Sequence, residues 1–298
     1  MEELYWCTSV SVRAEDPGTL TDSIRNAVQR RVRMYTIRNY VMADSLEQAY
    51  ELKQKGRNNV IIGGNLWLKM GHRTIQNAID LSRLGLNQIE EDAEGFRIGC
   101  MVTLRQLEVH EGLRQSFGSL FQEAVRHIVG VQFRNLASVG GSIFPRFGFS
   151  DVLTAFLACD SYAELYHGGR IPIREFAEMP LDNDILTHIY VKKDGRRVCY
   201  QSYRLTETDF PVLTCAVVRK ADGFETVLGA RPKRAVCISG VELKAPGEEQ
   251  ARENYAEQVT AQTEFGSNMR GSAAYRAELA KVLIVRALLE LTEDKTCR

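Results

Sequence analysis

Neither sign of charge is in surplus: 38 lysines and arginines are matched by 38 aspartates and glutamates along 298 residues. That balance argues against a polyanion such as nucleic acid as the main partner. No apolar run is long enough to span a bilayer, and the opening MEELYWC lacks the basic-then-apolar order of a secretory signal. A cytoplasmic location, with no membrane contact, is therefore expected. The seven cysteines (Cys7, Cys100, Cys159, Cys199, Cys215, Cys237 and Cys297) never form a C-x-x-C pair. Zinc and iron–sulfur clusters thus lack their usual neighbouring ligands, and reduced, buried thiols acting as small hydrophobes are expected instead. The five histidines (His72, His110, His127, His167 and His188) show no i, i+4 pairing, so no metal site is expected.

The common catalytic signatures are missing as well. There is no G-x-S-x-G, no H-E-x-x-H and no G-x-G-x-x-G, and Gly63-Gly64 is followed by NLWLKM rather than a P-loop G-K-[ST]. No nucleophile-and-base set is visible, so no catalytic residue is assigned. Redox chemistry, if present, would come from a bound cofactor that the protein positions.

What is present is ordinary globular composition, 44% hydrophobic and 26% charged, on a chain long enough for two domains. Residues 1–33 stand apart. After the loop signal Asp16-Pro17-Gly18, LTDSIRNAVQRRVR places Leu20, Ile24, Ala27 and Arg31 at helical spacing. This extension reads either as a basic docking helix or as the product of an upstream start codon, because a compact domain begins at Met34. YTIRNYVM is strand-like, and Asp44 or Ser45 can cap a helix LEQAYELKQKG that ends at Gly56. NNVIIGGNLWLKM gives a strand, a glycine pair and an apolar segment; NAIDL and GFRIGCM are strands, and Thr103 opens a helix. SLFQEAVRHIVGV reads as one core helix with Leu120, Ala124, Ile128 and Val131 on a face. SYAELYHGGRIPI resembles a hairpin turning at His167-Gly168-Gly169. ILTHIYVKK, RVCYQSYRL, PVLTCAVVRK and FETVLGARP then read as a meander with one wet face. Two helices close the chain, the second with an apolar stripe at Leu279, Val282, Leu283 and Ala287.

Two glycine pairs, Gly63-Gly64 and Gly140-Gly141, each follow β-branched residues. Loops of this kind free backbone N–H groups that suit a diphosphate, although a tight turn is the commoner use of such a pair. Ser150 and Asp151 precede VLTAFLAC, where apolar residues recur at helical spacing. An N-cap serine with an acidic first turn explains them without a ligand, and a contact to a ribose or ribityl hydroxyl explains them equally well.

Taken together, NNVIIGGNLWLKM, FRNLASVGGSIFPRFGFSDVLTAFLACDS, YRLTETDFPVLTCAVV, GARPKRAV and RGSAAYRAELAKVLIVRAL resemble the FAD-binding medium subunit of the molybdenum hydroxylases, over residues 34 to about 293. The resemblance implies an α+β fold: a two-subdomain, PCMH-type FAD-binding domain at 34–180, then a C-terminal domain of antiparallel sheet plus helices at 181–298. It implies that Ile61, Ile62, Gly63, Gly64, Asn65 and Leu66 form one cofactor loop. Ala137, Ser138, Gly140, Gly141, Ser142 and Ile143 form the other, and Ser150 and Asp151 contact the cofactor. It further implies an electron-transfer subunit in a heterotrimer with a molybdopterin-binding large subunit and a small subunit carrying [2Fe–2S] clusters, with FAD passing electrons to an acceptor, commonly NAD+. Three positions depart from the pattern: Ser142 replaces an asparagine, Trp67 is bulkier than usual, and Gln201 stands where a lysine is common. A structural subunit that has lost FAD, and a stand-alone flavin oxidase, are the alternative readings.

Overall fold

The computed structural model describes residues 35–293, so the helix expected in residues 1–33 lies outside the described residues, together with Cys7 and Cys297. Three sheets follow one another along the chain. The first is parallel, in the order β1 (Thr36–Met42), β3 (Thr74–Asp80), β2 (Asn59–Ile62). Its register is pinned by an asparagine ladder. Asn39 Nδ2 donates to Asn77 Oδ1 at 3.2 Å, Asn77 Nδ2 to Asn59 Oδ1 at 2.8 Å, and Asn59 Nδ2 to the Leu52 carbonyl at 2.6 Å. A slip of one residue would put these amides on opposite faces of the sheet. Helix Leu46–Gln54 crosses from β1 to β2, capped by Ser45, whose hydroxyl accepts the Gln48 N–H.

The second sheet is antiparallel, ordered β4 (Ile89–Glu91), β5 (Gly95–Gly99), β8 (Leu186–Lys192), β6 (Ser161–Leu165), β7 (Gly169–Pro172). β6 and β7 form the expected hairpin. β8 does not join the C-terminal meander, as the sequence reading has it. It fills the centre of this sheet between β5 and β6, so the sheets divide between Lys192 and Arg197, later than the expected boundary at residue 180. The apolar alternation of ILTHIYVKK suits either sheet, and strand pairing over such sequence distance is not encoded locally.

The third sheet runs β12 (Val236–Ile238), β11 (Gly223–Gly229), β10 (Leu213–Lys220), β9 (Arg197–Tyr203), all antiparallel. It has no wet face at its centre. Ala216, Val218, Val198 and Tyr200 enter the large core shared with the first domain. Leu213, Cys215, Val217 and Cys199 enter a second core beneath helices Glu249–Ala261 and Ala273–Thr292. A strand buried on both faces reads as a continuous apolar run, which is what LTCAVV is. The long helix buries Ala280, Leu283, Ile284, Ala287, Leu288 and Leu291, while Val282 faces outward, so the true stripe is rotated by one position from the expected one. This places two domains, the second of sheet plus helices, around one shared wall.

One expected element is broken. The helix from Leu120 stops at Val125, and Val129 adopts a left-handed backbone with φ +52°. Val131 then opens a separate short helix, Val131–Arg134, and is exposed. Bidentate bonds from Arg134 to Glu108, 2.9 and 3.1 Å, with a third to the Ile128 carbonyl, hold this break in place.

Candidate functional site

β2 delivers Ile61 and Ile62 into the sheet and ends at Gly63-Gly64. Asn65 follows with φ +61°, a left-handed conformation that asparagine tolerates better than most residues. Its Nδ2 donates to Tyr35 Oη at 2.6 Å, while its Oδ1 is buried with no partner. Among the described residues, the N–H groups of Gly63, Gly64, Asn65 and Leu66 meet no acceptor in any turn, loop or cap. Backbone donors left open in this way are free to meet an anion.

The second glycine pair is built differently. Val139–Ile143 is a short helix rather than an open loop, with Ser138 as its N-cap. Val139 N–H donates to Val102 O, Gly140 N–H to Cys100 O, Gly141 N–H to Ser138 Oγ and Ser142 N–H to Ser138 O. All four donors are thus spent on the segment Cys100–Val102 and on the cap itself. The glycines serve close approach instead: a β-carbon on Gly140 would lie 2.8 Å from Cys100. The same logic joins the two segments. A β-carbon on Gly64 would collide with the Leu136 carbonyl, and one on Gly63 with the Ser138 hydroxyl. The structure therefore brings the two predicted loops into direct contact, with the first supplying open donors and the second backing it.

Ser150 caps helix Asp151–Leu157: its Oγ accepts the Leu153 N–H at 3.1 Å and donates to the Ser142 carbonyl at 2.9 Å. Ser142 Oγ donates to the Ser138 carbonyl at 2.9 Å. Asp151 is 4% exposed and faces the third sheet. Its Oδ1 accepts from Tyr200 Oη and from an Arg204 guanidinium nitrogen, both at 2.6 Å. Burial pushes the Asp151 carboxyl up from its ordinary range, with Arg204 and Tyr200 pulling the other way. Burial also raises the Tyr200 phenol well above its usual value, with the Asp151 charge adding to it.

Beside these residues opens a cavity of about 210 Å³, lined by Ser142, Ser150, Asp151 and Arg204 and walled by aromatic rings. Trp67 lies 5.5 Å from Phe210, 5.7 Å from Phe149, 6.1 Å from Phe147 and 6.5 Å from Phe133 between ring centroids. His127, at the rim, faces Glu207 across 3.9 Å, and burial together with Arg126 and Arg204 holds its imidazole below the usual range. A second cavity, of about 280 Å³, lies at Asp160, Arg174, Arg196 and Lys220. Its cations are already matched: Arg174 and Lys220 pair with Glu225, and Arg196 with Asp194.

Sequence reasoning did not assign Tyr200, Arg204, Phe210 or the Cys100–Val102 backing segment. Each touches the site from a distant part of the chain, and only the aromatic density of FPRFGF gave a local sign of a ring-lined wall. Burial pushes the thiols of Cys100 and Cys159 up to about 12. Among the described residues, no group of three or more His, Cys, Asp or Glu could hold a metal ion, and no helix is long and apolar enough to cross a membrane.

Open backbone donors, aromatic walls and a carboxylate already committed to an arginine thus lie together in an α+β protein of two domains that share a wall. Residues 33–191 match the FAD binding domain in molybdopterin dehydrogenase, and residues 199–291 match the CO dehydrogenase flavoprotein C-terminal domain. The chain belongs to this flavoprotein family. It is 28% identical over 257 residues to the Escherichia coli K12 protein YgfM, covering 83% of this chain and 94% of that one. It is 25% identical over 275 residues to the glyceraldehyde dehydrogenase medium chain of Sulfolobus acidocaldarius, covering 85% and 98%. Among solved structures, quinoline 2-oxidoreductase from Pseudomonas putida 86 superposes with a TM-score of 0.75 at 16% identity, covering 87% of this chain and 98% of the other. Carbon monoxide dehydrogenase from Hydrogenophaga pseudoflava gives 0.73 at 22%, covering 86% and 96%.

Proposed function

We propose that this chain is the FAD-binding electron-transfer subunit of a multi-subunit molybdenum hydroxylase. Electrons would arrive from [2Fe–2S] clusters on a partner polypeptide and leave through FAD to an acceptor such as NAD+, with the substrate oxidised on a molybdopterin-binding large subunit. The observation that carries this reading is the row of uncommitted N–H groups at Gly63–Leu66, which ends next to Trp67, a wall of the ring-lined cavity. The residues present fit the cofactor. The open donors and the buried, partnerless Asn65 Oδ1 suit a diphosphate and an adjoining hydroxyl. The rings of Trp67, Phe149 and Phe210 suit a planar heteroaromatic system. FAD, when bound, supplies the exchange of one or two electrons that the side chains lack.

On this reading Ile61, Ile62, Gly63, Gly64, Asn65 and Leu66 hold the diphosphate. Ala137, Ser138, Gly140, Gly141, Ser142 and Ile143 form the floor that fixes that loop, and Ser150 and Asp151 close the far side of the cavity. Relatives named as a dehydrogenase medium chain and as a dehydrogenase complex subunit support the assignment to an assembly. Co-expression with candidate molybdopterin and [2Fe–2S] polypeptides tests it. The reading expects one FAD per chain in the isolated complex and bleaching of its visible bands when substrate is added. A complex that never forms, or whose flavin stays oxidised with substrate, contradicts it.

One observation favours a second reading, a structural subunit without flavin. The cavity rings already pack on one another, Phe149 on Phe210 at 4.8 Å and on Phe147 at 5.0 Å. An intact complex that forms and turns over with no FAD in this subunit would establish it.

A further inference from the structure

Arg204 is joined to both sides of the cavity. One guanidinium nitrogen donates to Asp151 Oδ1 at 2.6 Å, on the helix behind the cavity. Another donates to the Asp209 carbonyl at 2.9 Å, on the segment that carries Phe210. Its side chain is 6% exposed, it lines the cavity, and its Nε is buried without a partner. Asp209 is gripped from outside by Arg270, at 2.9 and 3.2 Å, and the same guanidinium lies over the Phe210 ring at 5.0 Å. Phe210 is therefore held opposite Trp67 by a chain running Asp151, Arg204, Asp209, Arg270.

We propose that Arg204 is the positioning residue of the cavity, setting the separation of Phe210 from Trp67, and that Asp151 acts on a bound ring through Arg204 rather than by touching it. The inference deepens the flavin reading and rests on it for the identity of the ring. Its geometric core, the placing of Phe210, does not need the flavin. Two facts favour the indirect route for Asp151: its Oδ1 already accepts two hydrogen bonds, and the side chain is almost wholly buried. That oxygen is thereby directed at Arg204 and Tyr200.

The test uses the full chain in a Trp6→Phe background, which leaves Trp67 as the sole tryptophan. Trp67 emission is recorded in flavin-free protein, and FAD affinity is then titrated. Arg204→Met is expected to move the emission to the red, as Phe210 and its neighbours leave the indole, and to weaken FAD about tenfold or more, the scale of a lost charge-assisted hydrogen bond. Asp151→Asn/Arg204→Met should match Arg204→Met alone, because residues acting in series are not additive. Arg204→Lys keeps the charge beside Asp151 but loses the second arm, and should give an intermediate shift. It carries both readouts if the methionine variant does not fold.

Wild-type emission and affinity in the Arg204 variants would overturn the proposal. So would an Asp151→Asn loss of FAD affinity that is equally large with and without Arg204, since that is direct contact. Wild-type protein that takes no FAD contradicts the flavin reading alone, and the emission measurement then decides the role of Arg204.

Discussion

Gly64 has no room for a β-carbon, and that single fact links the two glycine segments. Gly64→Ala would drive its new methyl into the Leu136 carbonyl, so the loop and its floor must part. The expected cost is about 1–3 kcal/mol in urea unfolding, as for other overpacked sites, with FAD content of the purified protein falling in step. Gly71 is the control: a β-carbon there reaches only ordinary contact, at 3.4 Å from the Leu68 carbonyl. Ser142 gives a second test. Its hydroxyl is occupied with the Ser138 carbonyl, yet its side chain borders the cavity. Ser142→Asn should slow FAD release if an amide at this position reaches the cofactor; unchanged release would show that the backbone suffices. The glycine turn after β2 was legible in the sequence because it needs only a strand end and a glycine pair. The second pair was not, because glycine for close helix packing and glycine for an open loop look identical until Cys100 appears beside it.

Among the elements, the break between Val125 and Val131 shapes the cavity rim. Apolar spacing continued through it, so the sequence favoured one helix. What ends that helix is the left-handed Val129 together with the pull of Arg134 on the Ile128 carbonyl. Glu108 anchors Arg134 and also pairs with Arg105 at 2.9 Å. Burial pushes the Glu108 carboxyl up, but the two arginines more than offset this and hold it below the ordinary glutamate range. With its folded pKa depressed, Glu108 contributes stability above the unfolded value of about 4.3, and that stability is lost as pH falls through the lower folded value. Glu108→Gln should cost about 3 kcal/mol at pH 7, as expected when one member of a buried pair is removed. The gap between wild type and variant should narrow below about pH 4 in denaturant titrations across pH. A gap that is constant with pH would show that the pair is not ionic in its effect.

At the scale of the molecule, the third sheet is the shared wall. β10 alternates its side chains between two cores, so neither domain has a free face there. The sequence showed the strands but not this burial, since a meander with one polar face was the simpler reading of short strands with tight turns. The central place of β8 was hidden for a related reason: its partners β5 and β6 lie far away in sequence. The C-terminal helix is tied to this wall by Arg276, which is fully buried. It donates to the carbonyls of Val212, Gly266 and Gly271 and to Asn268 Oδ1. Arg276→Met would strand these acceptors, with an expected loss of about 3 kcal/mol or more at roughly 1–3 kcal/mol per unsatisfied buried group. Because the wall is common to both cores, unfolding followed by Trp67 fluorescence and by far-UV circular dichroism should shift together. Separate shifts would mean that the domains unfold independently.

On the flavin reading, FAD reaches from the N–H groups of Gly63–Leu66 to the aromatic cavity beside Trp67. The most direct test is the flavin stoichiometry of the full-length protein, purified gently, incubated with excess FAD and desalted, and read from its visible absorbance against protein concentration. Close to one FAD per chain is expected, falling sharply in Gly64→Ala while Gly71→Ala retains it. A spectrum with no flavin bands after reconstitution, or equal flavin in both variants, would contradict it.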